Sequence, residues 1–162
     1  MKRMLMLIVA LGICSTLAGC GSDPREGLTS VTVHLINEAA TKVTTLKGKI
    51  EDAVKKTESG KTPDFKDALA EVDALKKIAK EMQGKKMEAD ALKNKTTEEE
   101  RKDLTEKTSE PLNRAIDRVA KANKELNETI ASLEPQYKEA LKTVREKLAE
   151  ANGEFEAIAR QR

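Results

Sequence analysis

The hydrophobic residues of this chain recur at steps of three and four, which is the spacing of amphipathic helices. A first stripe contains Leu35, Ala39, Val43, Leu46, Ile50 and Ala53 or Val54. A second contains Phe65, Ala68, Val72, Leu75, Ala79 and Met82, flanked by Leu69 and Ile78. The longest contains Leu112, Ile116, Val119, Asn123, Leu126, Ile130, Leu133, Tyr137, Leu141, Val144, Leu148, Ala151, Phe155 and Ile158. The pattern predicts an all-α fold, an elongated antiparallel bundle of three to four long helices with coiled-coil-like packing.

The start of the first helix has two possible positions. Asp23 and Pro24 suit an N-cap and a first helical position, with Glu26 three residues after the cap. The β-branched cluster at 29–33 favours strands more than helices, so the helix could instead settle near Leu35.

The clearest break in the pattern is at 59–64. Gly60 can end one helix with a positive φ, and Thr62 can cap the next helix with Pro63 at its first position. The triplet 60–62 also has the letters that end a phosphate-binding loop. That motif needs a glycine five residues earlier, where Lys55 stands, and a preceding strand, so we do not predict a nucleotide site.

A third helix is predicted to begin at Thr97, because Thr97 and Glu100 are spaced for a capping box. The residues up to Glu110 are nearly all polar, with Leu104 as the one large apolar residue, and predict an exposed helix or connecting arm.

Pro135 lies inside the longest stripe and leaves two paths open. A proline in a helix interior removes a hydrogen bond and clashes with the preceding turn. The chain either turns back at Glu134-Pro135, giving four helices of bundle length, or continues as one kinked helix. Asn123, within the same stripe, either fixes the register of the packing or faces water.

The first nineteen residues have the order of a secretory signal. Met1-Lys2-Arg3 is basic, the ten residues from Met4 to Ile13 are apolar, and small residues follow. The apolar run is well short of the roughly twenty residues that a membrane-spanning helix needs, so we expect the segment to be removed.

The quartet Leu17-Ala18-Gly19-Cys20 resembles the lipobox of bacterial lipoproteins. The resemblance implies that the Cys20 thiol receives a diacylglyceryl group, that the signal is cut between Gly19 and Cys20, and that the new amine is acylated, palmitate being a typical chain. Two or three chains on one residue would hold the protein stably at a membrane. The implied organisation is a removed signal at 1–19, a lipidated N-terminus and short tether at 20–27, and a helical domain at 28–162. The implied location is a membrane surface outside the cytoplasm. Since Gly21 is not an aspartate, that surface would be the periplasmic face of the outer membrane if the host has one.

Removal of the signal makes the protein electrically neutral. Lys2 and Arg3 leave with it, so the 30 lysines and arginines of the chain become 28, against 28 acidic residues. We therefore expect no nucleic-acid partner, which would require a basic surface. Cys14 is lost as well and Cys20 would be blocked by lipid, so no thiol remains for a disulfide or a metal.

The sequence contains little that suggests catalysis. His34 is the single histidine, so a two-histidine metal site within one chain is impossible, and the surrounding residues favour a structural role. Acidic and basic residues pair at four-residue spacing, which is typical of a solvated helical surface. The pairs are Glu51 with Lys55, Asp52 with Lys56, Asp73 with Lys77, Glu81 with Lys85, Glu98 with Lys102, and Glu134 with Lys138. We expect no enzyme activity, no cofactor and no metal.

These features favour a lipid-anchored protein of the cell envelope that acts as a structural spacer, scaffold or protein-binding module. Its partners would be the membrane, through Cys20, and a protein partner or a second copy, through helical faces. The alternative is a chaperone-like or cell-wall-binding lipoprotein with a specific cargo. A persistent exposed apolar groove would favour this alternative, whereas a sealed seam between the helices would favour the first function.

Overall fold

The computed structural model describes residues 24–93 and 97–160, and these residues form three helical elements. Helix α1 is Pro24–Lys56, α2 is Lys66–Lys93 and α3 is Glu98–Arg160. No strand occurs in the described part of the chain. The predicted all-α fold is confirmed.

Helix α1 begins at Pro24, the earlier of the two predicted positions. Proline is well suited to a first helical position because its missing N–H would have no helical partner there. The last four residues of the stretch 20–27, predicted as a tether, are therefore helical. The β-branched cluster does not delay the helix, and its Thr32 is buried against the rest of the bundle.

The connection between α1 and α2 contains the predicted break, but the start predicted for α2 is wrong. Gly60 has a φ of 83°, as expected for a residue that ends a helix. Helix α2 starts at Lys66 rather than Pro63, and its first amide, on Lys66, donates to Asp64 Oδ1 at 3.0 Å. Phe65 is 4 % exposed, so its ring is inserted in the core and fixes the turn beside Asp64 rather than Thr62.

The capping box predicted at the start of α3 is confirmed. The Thr97 amide donates to Glu100 Oε2 at 2.8 Å, and the Glu100 amide donates to Thr97 Oγ1 at 3.3 Å. Two amides that have no partner within the helix are satisfied in this way.

Helix α3 contains the reversal that the sequence left open. It is helical over 63 residues except at Tyr137, where φ is −126° and ψ is 29°. We name residues 98–136 the first arm and residues 138–160 the second arm. In one straight helix Glu125 and Glu150 would be about 38 Å apart.

Three ion pairs exclude a straight α3. They are Lys47 with Glu125 at 3.2 Å, Lys49 with Glu71 at 2.6 Å, and Lys76 with Glu150 at 2.5 Å. Lys47 and Lys49 lie within one turn of α1, and Glu71 and Lys76 lie within two turns of α2. The three pairs therefore bring Glu125 and Glu150 much closer together than the roughly 38 Å of a straight helix. Glu134 and Arg145, on opposite arms, also form an ion pair. The chain therefore turns back beside Pro135.

The order of these contacts gives an up-down-up-down bundle. Residues 47 and 51 of α1 contact residues 125 and 129 of the first arm, so these two segments run in the same direction. Residues 73 and 76 of α2 contact residues 147 and 150 of the second arm, so these two also run in the same direction. The short loop at 57–65 makes α2 antiparallel to α1.

The predicted stripes form the core of this bundle. Every residue of the second stripe is buried, and most residues of the first and third stripes are buried. Ile116, Leu133 and Tyr137 are only partly buried, whereas Ala115, Ala122 and Asn152 are buried although they lie outside the predicted stripes. Residues 131–140 contain no buried side chain, as expected where a helical hairpin turns at the end of a bundle.

Candidate functional site

The predicted lipidation site lies outside the described residues. The residues concerned are Leu17, Ala18, Gly19 and Cys20, together with the rest of the signal at 1–19. Among the residues that are described, none of the helices combines the length and the apolar character needed to cross a membrane.

His34 is exposed on α1. Across the two described segments, 24–93 and 97–160, no group of three or more histidine, cysteine, aspartate or glutamate residues is arranged to hold a metal ion.

A charged depression lies at the end of the bundle where α1 passes into α2, and we call it the loop-end depression. It encloses about 520 Å³. Its lining consists of Lys49, Asp52, Ala53, Lys56, Thr57, Glu58, Lys61, Thr62, Asp64 and Asp67. Three lysines against four carboxylates leave it close to neutral, so it has no strong preference for an anion or a cation.

The loop-end depression contains the triplet 60–62 that resembles the end of a phosphate-binding loop. This triplet follows α1, a helix, whereas the motif requires a strand before it. Lys61 is also already paired with Glu58 at 2.5 Å.

Glu71 is a buried carboxylate that forms ion pairs with two lysines. It is 8 % exposed, and its Oε1 and Oε2 lie 2.6 Å from Lys49 Nζ and 3.1 Å from Lys42 Nζ. The hydrogen bond from Lys49 is the main cause that lowers the pKa of Glu71, and the same bond raises the pKa of Lys49. The cluster holds α2 against α1.

Lysines also fix the second arm of α3 against α2. Lys76 Nζ lies 2.5 Å from Glu150 Oε2, and this hydrogen bond raises the pKa of Lys76 and lowers the pKa of Glu150. Lys86 is 3 % exposed, and its Nζ donates to the Ile158 carbonyl at 2.7 Å. A cation near the C-terminal end of a helix is favoured because the helix dipole is negative there.

Two buried asparagines lie at a similar height on the two arms of α3, and we call them the asparagine layer. Asn123 is 3 % exposed and Asn152 is 7 % exposed. They stand 14 and 15 residues from Tyr137 on either side, so antiparallel arms bring them to the same level. Neither side-chain amide atom of Asn123 has a hydrogen-bond partner, nor does Asn152 Nδ2. Asn123 thus does not face water, which removes one of the two predicted roles.

The apolar interior is sealed over the part of the chain whose side chains are described. There the one large hydrophobic side chain that is strongly exposed is Met87, at 66 %. A single exposed methionine is ordinary for a protein surface and does not form an apolar groove.

The ion pairs between helices were not predicted, and several residues of the predicted pairs have other partners. Asp52 pairs with Lys55, Lys85 pairs with Glu88, and Asp73 and Glu134 pair with residues of the second arm. The four-residue spacing identifies neighbours on one helix only. The contacts of Glu71 depend on how α1 and α2 meet, and no local signal in the sequence contains that information.

Comparisons with known proteins give no match to this chain, whether against family models, curated proteins or solved structures.

Proposed function

We propose that the protein is a lipid-anchored helical protein of the bacterial cell envelope, where it acts as a structural spacer, scaffold or protein-binding module without catalysis. The observation that carries the proposal is a helical body with an apolar interior and a charged surface, which follows directly after a quartet that resembles a lipobox. The first helix begins at Pro24, four residues after Cys20. Four residues reach at most about 14 Å, so the body would stand close to the membrane that holds Cys20.

The dimensions of the body suit a spacer. Helix α1 has 33 residues and is therefore about 50 Å long, and the other segments run alongside it. Ion pairs between helices, such as the Glu71 cluster, resist sliding of one helix past another. A rigid rod of this kind presents its helical faces at a set distance from the membrane.

The sealed interior supports this function over the alternative of a chaperone-like or cell-wall-binding lipoprotein. A protein that accepts apolar cargo needs an exposed apolar groove. The described side chains offer a near-neutral charged depression and one exposed methionine instead. The cargo-binding function stays a prediction that no observation of this structure favours.

Labelling with a radioactive fatty acid in the native host tests the anchor. The unchanged protein and the Cys14→Ala variant should incorporate label and remain with the membranes. The Cys20→Ala variant should incorporate none. Cys14 is the matched control because it is the other cysteine of the leader. Label retained by Cys20→Ala, or absent from all three proteins, would contradict the proposal.

Pull-down of the intact protein from crosslinked membranes tests what the body does. A single dominant envelope protein, or a second copy of this chain, is the result expected for a spacer or scaffold. Recovery of many unfolded proteins would instead favour chaperone-like activity.

A further inference from the structure

The reversal inside α3 is made by one residue rather than by a loop. Tyr137 is the one position in α3 with non-helical backbone angles, φ −126° and ψ 29°. A change of these angles to about −63° and −42° would straighten α3 into a single helix. No glycine or asparagine lies next to this turn to favour the bent form.

The prolines of α3 do not prevent a straight helix. Pro111 lies inside the first arm, and the helix continues through it with helical angles. Pro135 already lies within the helical part of the first arm, so its missing hydrogen bond and its contact with the preceding turn are present in the bent form. Straightening at Tyr137 adds no further conflict with the proline ring.

The apolar stripe keeps its helical phase through the turn. Leu133, Tyr137 and Leu141 follow one another at steps of four residues. In a straight α3 these residues fall on the same face as the rest of the stripe. One straight α3 could therefore pack against two helical bodies along one continuous face.

The second arm packs through a buried apolar face and the Lys86 hydrogen bond to Ile158, but some of its polar contacts are weak. The asparagine layer leaves buried polar atoms without partners on both arms, which costs folding stability. Two of the ion pairs to α2, from Glu150 and from Lys147, have side chains that are 64 % and 39 % exposed. Exposed pairs of this kind add little to stability.

We propose that α3 straightens at Tyr137 and exchanges its second arm with a second copy of this chain. Each half of the resulting dimer would be the same four-segment bundle, with residues 138–160 supplied by the other copy. Short connections between packed elements favour such exchange, and the exchanged dimer keeps the contacts of the closed form outside the turn itself.

The exchange has a defined geometry. A straight α3 of 63 residues is about 95 Å long. The second arm would run away from its own body, so the other body must stand inverted, with the two loop ends facing each other. The two Pro24 residues would then lie at opposite ends of the rod. The next consequence rests on the proposed function. With a lipid on each Cys20, the dimer would carry an anchor at each end and could connect two membrane surfaces. The exchange itself does not depend on the lipid.

Crosslinking tests the exchange. In the full chain with Cys14→Ser and Cys20→Ser, the pair Lys76→Cys and Glu150→Cys places one thiol on α2 and one on the second arm. The matched control pair, Lys47→Cys and Glu125→Cys, joins α1 to the first arm, which is not exchanged. Each protein is concentrated in detergent, warmed and recooled, and its dimer is isolated by size exclusion and treated with a short bismaleimide.

The exchange predicts a specific pattern on a denaturing gel. The 76/150 pair from the dimer should give a covalent dimer, whereas the 47/125 pair from the dimer should give a monomer. A dimer in which both pairs crosslink within one chain would overturn the proposal. So would a chain that forms no dimer under these conditions.

Lengthening the turn gives an independent test. Insertion of Gly-Ser-Gly after Gln136 supplies a loop for the closed form and should lower the dimer fraction by roughly tenfold, equivalent to about 1.4 kcal/mol. The same insertion after Gly60 should leave the dimer fraction unchanged. A failure of the exchange would leave the fatty-acid labelling of Cys20 unaffected, so the two proposals can fail separately.

Discussion

Asn123 shows how one polar side chain can limit the stability of the bundle. It is 3 % exposed, and both of its side-chain amide atoms are without hydrogen-bond partners. A buried polar group that is left unsatisfied costs about 1–3 kcal/mol of folding stability. The role predicted for it, fixing the register of the packed helices, stays a prediction.

Replacement of Asn123 by leucine should therefore stabilise the fold. We expect Asn123→Leu to raise the free energy of unfolding by about 1–2 kcal/mol, because an apolar side chain of similar size removes the unsatisfied amide. Urea denaturation followed by circular dichroism measures the change. The matched control is Asn113→Leu, an exposed position on the same arm, which should change stability by less than about 0.5 kcal/mol. A loss of stability in Asn123→Leu would mean that the amide has a favourable partner.

Glu71 should make stability depend on pH in the acid range. Its pKa lies below the ordinary value of 4.5, chiefly because Lys49 donates a hydrogen bond to it. A group with a lowered folded pKa contributes stability above its unfolded pKa and loses it as pH falls through the folded pKa. Lys49 has a raised pKa, so its contribution is complete below 10.5 and is lost as pH rises through its folded pKa.

The variant Glu71→Gln tests this contribution. It should lower the free energy of unfolding at pH 7 by about 1 kcal/mol, because its lysine partners are about a third exposed and can regain water. The loss should shrink as pH falls from 4.5 through the lowered pKa of the folded Glu71, where the native carboxylate becomes protonated. Unfolding curves at several pH values measure it, with Glu81→Gln, an exposed position on α2, as the control. An equal loss at every pH would contradict the electrostatic explanation.

The boundaries of the helices depend on local chemistry to different degrees. The capping box of Thr97 and Glu100 could be predicted because all of its hydrogen bonds lie within four residues. The start of α2 could not be predicted from local chemistry, because Thr62-Pro63 and Asp64 are both reasonable helix starts. The core contact of Phe65 selects Asp64, and that contact depends on the tertiary structure.

Two glycines provide a test of the helix ends. Gly60 has a positive φ of 83°, whereas Gly84 lies within α2 with open space around the position of a Cβ atom. Gly60→Ala should destabilise the protein by about 1 kcal/mol because alanine is strained at positive φ. Gly84→Ala should stabilise it by about 0.5–1 kcal/mol because alanine favours the helix.

Thermal unfolding of the two glycine variants measures both effects. The two substitutions add the same methyl group, so each serves as the control for the other. Shifts of the same sign would show that the turn at Gly60 does not need its positive φ.

The reversal at Tyr137 lies within one helical element, but the packing of the whole molecule determines whether it forms. The stripe from Leu133 to Leu141 has helical spacing and fits both a straight and a bent helix. Pro135 does not decide the matter, because Pro111 is accommodated without a turn. Bending is favoured because each arm then buries its apolar face against α1 and α2 of the same chain, a contribution that depends on segments far away in the sequence.

At the scale of the whole molecule, apolar periodicity was sufficient to predict an all-α bundle and most of its core. The period of a helix repeats along the sequence, so a buried face can be recognised from one segment at a time. Alanines such as Ala115 and Ala122 were missed because a small side chain gives a weak signal, although it is buried where two helices approach closely. The cluster of Glu71 with Lys42 and Lys49 was missed because its members come from two different helices.

The function proposed for the whole molecule depends on the modification at Cys20, since the helical body by itself gives no location in the cell. The most direct measurement is the intact mass, with peptide sequencing, of the protein purified from membranes of its native host. The account predicts a chain that begins at Cys20 and whose mass exceeds that of residues 20–162 by a diacylglyceryl group and further acyl chains. A chain with a free thiol at Cys20, or one that retains residues 1–19, would contradict it.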